Sequence, residues 1–133
     1  MKRVLLSIVV VILSLLSTGC DEEHIYNYYV KNQNIDKIKI LFKAYATDTP
    51  DSLDIFVNQI KLIYQYQSIG FPQNNIGMHF NKFEVYHKDM KSSTDFYQNN
   101  LWKYTVIDSD TAEFVLEIDS SYFDWGKGIP EVP

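Results

Sequence analysis

The chain has 133 residues, a length suited to one domain. Its 12 Lys and Arg stand against 17 Asp and Glu, and the resulting net charge of −5 argues against nucleic acid as a partner, because phosphate binding requires a basic surface. Hydrophobic residues make up 46% and aromatic residues 15% of the sequence, which excludes an intrinsically disordered chain.

Residues 1–19 have the pattern of a secretory signal peptide. Met1-Lys2-Arg3 is a short basic segment, and the predominantly apolar stretch 4–16 follows it. As a helix this stretch would extend about 20 Å, less than the roughly 30 Å of bilayer hydrocarbon, so we expect it to direct export without spanning the membrane permanently. Without Lys2 and Arg3, the rest of the chain has 10 Lys, no Arg and 17 acidic residues.

The segment Leu16-Ser17-Thr18-Gly19-Cys20 resembles the lipobox of bacterial lipoproteins, although Leu16 lies one position further from the cysteine than usual. The resemblance implies cleavage before Cys20 and acylation of that residue, which would make the membrane a partner through a lipid anchor. Cys20 is the only cysteine, so the chain has no intramolecular disulfide. The alternative is an ordinary signal peptide followed by an incidental cysteine.

Residues 20–24 form a predicted acidic tether that contains Asp21, Glu22 and Glu23. This acidic run resembles the surface-export signal of lipoproteins from Bacteroidota, which implies a location on the outer membrane with exposure at the cell surface. The alternatives are a solvated acidic spacer and an inner-membrane retention signal, which Asp21 resembles in other bacteria.

Apolar and polar residues alternate through the predicted domain, residues 25–121, which is typical of short strands with one buried face. The expected strands are 25–30, 36–43, 52–57, 60–67, 78–87, 101–108 and 111–119. The sequence therefore predicts an all-β fold, an immunoglobulin-like antiparallel β-sandwich of about seven strands, with a small closed barrel as the alternative. Segment 88–100 is predicted as mostly loop and residues 122–133 as a C-terminal tail.

The alternation also predicts which side chains are buried. In the second strand we expect Ile38, Ile40 and Phe42 to face inward. In the fourth strand the same rule predicts that one side faces inward: Ile60, Leu62, Tyr64 and Tyr66. In the last two strands it predicts three core aromatic residues: Trp102, Tyr104 and Phe114.

Several segments resemble uncharacterised small Bacteroidota lipoproteins with a β-sandwich domain: Ser52-Leu53-Asp54-Ile55 through Ile60, residues 64–70, and Asn100-Leu101-Trp102 with the Tyr-rich hairpin that follows. The resemblance covers roughly residues 36–119. It implies the fold and assigns no activity.

No pattern in the sequence indicates catalysis, a metal or a cofactor. His79 and His87 are eight positions apart, which on one strand separates them by about 26 Å. The turn residues Asp108 and Asp110 lack the further ligands of a calcium loop, and the carboxylates at 113, 117 and 119 are expected on a solvated strand face. Because nucleophile-elbow, phosphate-loop and zinc-protease motifs are also missing from the sequence, we expect a protein that is not an enzyme.

Aromatic residues carry the remaining functional signal. Ten Tyr, eight Phe and two Trp exceed what a core of this size needs, so Tyr97, Tyr122 and Trp125 are candidates to stack on a sugar or to contact a protein. The sequence thus favours a lipid-anchored, non-enzymatic envelope protein that binds a protein or serves as an accessory component. The alternative is a carbohydrate-binding module or a small periplasmic inhibitor of an envelope hydrolase.

Overall fold

The computed structural model describes residues 22–69 and 79–124. In these ranges the strands are β1 (Glu23–Asn32), β2 (Lys37–Ala44), β3 (Asp51–Phe56), β4 (Ile60–Ile69), β5 (Phe80–His87), β6 (Met90–Lys91), β7 (Trp102–Val106) and β8 (Thr111–Ile118). Two 3₁₀ helices span Asn99–Leu101 and Ser120–Tyr122. The predicted signal peptide, Cys20, Asp21 and Trp125 lie outside the described residues.

The strands form two four-stranded sheets. The first sheet has the order β4-β1-β8-β7 and the second the order β3-β2-β5-β6. Every pair is antiparallel except β1 with β8, which is parallel. The predicted all-β sandwich is confirmed. The strands form two separate sheets and not the small closed barrel that was the alternative. The described residues contain eight strands because β6 arises within the segment predicted as loop.

The cleanest sequence patterns gave the correct faces. Ile38, Ile40 and Phe42 in β2 are buried, as are the alternate residues of β8 from Ala112 to Ile118. Each apolar side chain that leaves water on the inner face contributes to stability in proportion to its buried area. The lysines between the β2 apolar positions point outward.

Aromatic rings fill the space between the sheets. The rings of Tyr28 and Phe114 stack with centroids 4.9 Å apart, and Trp102 lies across the edges of Tyr28 and Phe83. The indole Nε1 of Trp102 donates to the carbonyl of Phe96 at 2.8 Å. Trp102 and Phe114 are therefore core residues, as predicted, while Tyr104 is partly buried against them.

The predicted inward face of β4 is wrong at its first half. Tyr28 pairs with Tyr64, but its neighbour Tyr29 pairs with Leu62, which leaves Ile63 as an extra, bulged residue. The bulge reverses the alternation, so Ile63 is buried and both Ile60 and Leu62 are exposed. Beyond the bulge Tyr64 and Tyr66 pack against the core, as expected.

The sandwich has two ends that differ in their connections. At the near end, where β1 begins, Glu23 pairs with Ile69 and the Ile25 amide donates to Asp110 O at 2.6 Å. On the second sheet, the Tyr45 amide donates to His79 O at this same end.

At the far end, where β1 finishes, the buried Asn32 joins the two sheets. Its Nδ2 donates to Ile35 O at 2.7 Å and to Ile55 O at 3.0 Å, and its Oδ1 accepts from the Ile35 amide at 3.1 Å. The sandwich also extends beyond the predicted domain limits, because β1 begins at Glu23 and Phe123 is buried.

No helix among residues 22–69 and 79–124 has the length and apolar character needed to cross a bilayer.

Candidate functional site

The outer surface of the second sheet is rich in lysine, and we call it the lysine face. Lys37, Lys39 and Lys43 alternate with the buried residues of β2 and therefore share its outer side. Strand pairing places Lys82 of β5 directly opposite Lys43, and Lys91 of β6 opposite Tyr86. The lysine face thus consists of Lys37, Lys39, Lys43, Lys82 and Lys91, with the carboxylates Asp54 and Glu84 among them.

Glu84 is the centre of a hydrogen-bonded group on this face. It accepts from Lys91 Nζ at 2.6 Å and from the Tyr86 hydroxyl at 2.8 Å, and Lys82 Nζ lies 3.6 Å away. The hydrogen bond from Lys91, followed by that from Tyr86, holds the pKa of Glu84 below its usual value. Glu84 therefore stays ionised, and the same contacts raise the pKa of Tyr86 and Lys91.

The lysine face nevertheless keeps an excess of positive charge. Lys37 pairs with Asp54 at 3.6 Å, but Lys39 and Lys43 form no ion pair with any described residue. Directly opposed like charges such as Lys43 and Lys82 cost stability in a sheet. Five lysines against two carboxylates give this face a net positive charge in a chain whose total is −5.

A groove of about 510 Å³ continues this face at the edge of β5. It is lined by Lys82, Glu84 and Lys91, by the polar segment that follows β6, and by the rings of Phe96 and Tyr97. The Tyr97 ring is 37% exposed, and its amide donates to Asp95 Oδ1 at 3.1 Å. Partial burial raises the pKa of the Tyr97 hydroxyl, so the group stays a neutral donor and acceptor.

The structure does not bring Tyr97 and Tyr122 into one platform. Tyr122 is half-buried against Phe96, with centroids 5.7 Å apart, and it lines a different groove together with Lys103 and Glu117. Its carbonyl accepts from Ser92 Oγ at 2.7 Å, which ties the end of β8 to the segment after β6. The third candidate, Trp125, lies outside the described residues. Of the two candidates that the structure describes, Tyr97 is the one that accompanies the lysine face.

His79 and His87 lie at opposite ends of β5. The His79 ring lies at the near end, 4.3 Å from the Tyr66 ring, and burial lowers its pKa. His87 is buried at the far end, with Nδ1 3.0 Å from Lys37 O and 3.4 Å from Asp36 Oδ1.

The turn and strand carboxylates have structural partners. Asp108 Oδ1 accepts from the Asp110 amide at 2.8 Å, an Asx turn that lowers the pKa of Asp108. Glu117 accepts from Gln33 Nε2 at 2.6 Å and lies 3.5 Å from Lys31 Nζ. Within the described ranges, no group of three or more His, Cys, Asp and Glu side chains could hold a metal ion.

Sequence reasoning missed the lysine face. In the sequence, the alternating lysines of β2 indicate only which face of this strand is buried. Lys82 and Lys91 join them through the pairing of β2 with β5 and of β5 with β6, which no local pattern reveals. Comparison of the chain with protein-family models, with curated proteins and with solved structures finds no match.

Proposed function

We propose that the protein is a lipid-anchored, non-enzymatic binding protein of the bacterial cell envelope, and that its lysine face holds an acidic region of a partner protein. The observation that carries the binding proposal is the concentration of five lysines on one side of a net-acidic sandwich. The outer membrane of a Bacteroidota-type cell is the proposed location.

The anchoring part of the proposal depends on the start of the chain. Cys20 follows a leader-like segment and small residues, the pattern of a lipidation site. Acidic residues occupy positions 21–23, as in surface-exported lipoproteins. Several acyl chains on one residue would hold the protein stably at a membrane, whereas a single chain would not.

Anchoring is tested by metabolic labelling with a fatty-acid analogue. Wild-type protein should incorporate the label and Cys20→Ala should not, because the thiol that receives the lipid is removed. Protease treatment of intact cells then decides the leaflet, since only surface-exposed protein is digested. An unlabelled wild-type protein released into the medium would contradict the anchoring proposal.

The binding part depends on unpaired positive charge. Lys39 and Lys43 lie on a strand with a partner strand on each side, so the backbone positions of these two lysines are fixed. A complementary acidic surface would be attracted over about a Debye length, roughly 8 Å at physiological salt, and would then be oriented by the ordered row of lysines. Such binding should weaken as salt concentration rises.

A matched pair of variants tests the lysine face. Lys39→Gln/Lys43→Gln removes two charges from the face, whereas Lys31→Gln/Lys103→Gln removes two charges from the outer side of the first sheet. We expect crosslinking in intact cells to capture a partner with wild type and the control pair. We expect at least a tenfold loss with the face pair, because only this pair removes the complementary charge. Equal capture by both pairs would refute the assignment of the face.

A glycan is the second candidate ligand, favoured by the groove in which a partly exposed Tyr97 ring lies beside polar side chains. Titration with envelope glycans should then shift the NMR signals of Tyr97 and its neighbours, and Tyr97→Ala should abolish the shifts. Tyr29→Ala, at a partly exposed tyrosine on the outer side of the first sheet, serves as the control. A glycan response that survives Tyr97→Ala would exclude this groove.

A further inference from the structure

Three apolar side chains project into solvent at the near end of the first sheet. Ile69 is 69% exposed, Val106 60% and Ile107 52%. They are large side chains close to the place where the chain enters β1. Leaving such area in contact with water is unfavourable, so a partner surface at this end would gain from covering it.

Strand pairing sets the arrangement of these three residues. Ile69 of β4 lies opposite Glu23, the first residue of the neighbouring strand β1. On the other side, Val106 pairs with Ala112 of β8, and the Ile107 amide donates to Thr111 O at 2.9 Å. With neighbouring strands about 4.8 Å apart, the apolar side chains flank the start of β1 across roughly 15 Å.

We propose that this near end rests against the lipid bilayer, with Ile69, Val106 and Ile107 inserted among the lipid head groups. The inference rests on the lipid anchor of the proposed function. Only residues 21 and 22 separate Cys20 from Glu23, the first residue of β1. Even fully extended, this connection spans about 10 Å, so an acylated Cys20 holds the near end at the membrane surface.

The length of this connection also indicates that lipid, and not a protein, covers the apolar side chains of the near end. A protein partner would have to fit into the gap of about 10 Å between the near end and the head groups. The bilayer interface itself is already there and accepts isoleucine and valine side chains.

Charge at the near end specifies the kind of lipid. Glu23, Asp108 and Asp110 accompany the apolar side chains, and no lysine lies among the turn residues 107–110. Carboxylates are repelled by anionic head groups. The near end of the first sheet therefore fits a zwitterionic surface better than an anionic one.

Fluorescence quenching in vesicles tests the proposal with the full lipidated protein. Once Cys20 is acylated, a newly introduced cysteine is the only free thiol in the chain. The variants Ile107→Cys and Ile69→Cys receive an environment-sensitive dye at the near end. Val57→Cys provides the matched control, because Val57 is an exposed apolar residue in the turn at the far end.

The labelled proteins are reconstituted into phosphatidylcholine vesicles that contain lipids with a quencher near the head group. We expect the dyes at 107 and 69 to be quenched at least twofold more than the dye at 57. Replacing part of the phosphatidylcholine with phosphatidylglycerol should reduce this difference. Equal quenching at the two ends would overturn the inference.

Vesicle flotation distinguishes failure of this inference from failure of the anchor. Protein that floats with the vesicles but shows equal quenching at positions 107 and 57 overturns only the seating of the near end. Protein that carries no acyl group and does not float overturns both the anchor and the inference built on it.

Discussion

Replacing Asn32 should destabilise the sandwich far more than its single small side chain suggests. The buried amide makes three hydrogen bonds, and these join the end of β1 to residue 35 and to the end of β3 in the other sheet. Asn32→Ala leaves the Ile35 amide without its acceptor, which costs about 1–3 kcal/mol, and removes two further bonds worth about 1 kcal/mol each. We therefore expect a loss of at least about 3 kcal/mol in the free energy of unfolding.

Urea unfolding followed by tryptophan fluorescence measures this loss. For a domain of this size, 3 kcal/mol corresponds to a shift of the midpoint by about 2 M. Asn34→Ala is the matched control, because the exposed Asn34 accepts one bond, from the Ser120 amide at 2.9 Å, and should cost less than about 1 kcal/mol. If both variants unfold at the same urea concentration, the Asn32 amide does not join the two sheets.

Three further predictions concern buried and partly buried side chains. Trp102→Phe should lower the free energy of unfolding, measured with urea, by about 2–3 kcal/mol, because it removes the hydrogen bond to Phe96 O and leaves a cavity. A decrease below about 1 kcal/mol would contradict this. Burial lowers the pKa of His79 from 6.5, so the unfolded state binds the proton more readily than the folded state, and the free energy of unfolding should fall as the pH drops below about 6.5. His79→Gln should flatten this pH dependence, and an unchanged profile would show that His79 does not cause it. The described residues give the buried Tyr28 hydroxyl no hydrogen-bond partner, so Tyr28→Phe should melt at the same temperature or higher, and a clear drop would reveal a partner.

Local patterns were sufficient where each strand alternates without interruption. The positions of Ile38, Ile40 and Phe42 followed from the sequence because the three residues alternate, Lys37, Lys39 and Lys43 occupy the opposite side, and no bulge lies between them. The same rule failed for Ile60 and Leu62, since the bulged Ile63 in β4 changes which residues face inward. A bulge depends on how β4 pairs with β1, two segments about 30 residues apart, and this pairing is not encoded in either strand alone.

The important polar residues were harder to predict than the core. Asn32 continues the period of Tyr26, Tyr28 and Val30 on the buried face of β1, but the strand predicted from the sequence ends at residue 30. The need for an amide there depends on Ile55, which comes from another strand. The lysine face is likewise assembled across three strands, and only its β2 members formed a recognisable pattern.

The two proposed surfaces can act together because they lie on different parts of the sandwich. The strands connect the near end to the far end, so a domain seated on its near end has strands that point away from the bilayer. The lysine face is the outer surface of the second sheet, so it would then face sideways, parallel to the membrane plane, and not toward the bilayer. An acidic partner would approach it from the side, without displacing Ile69 or Ile107 from the lipid. Charge on the second sheet and apolar side chains at the near end of the first sheet would thus serve two proposed contacts that do not compete for the same residues.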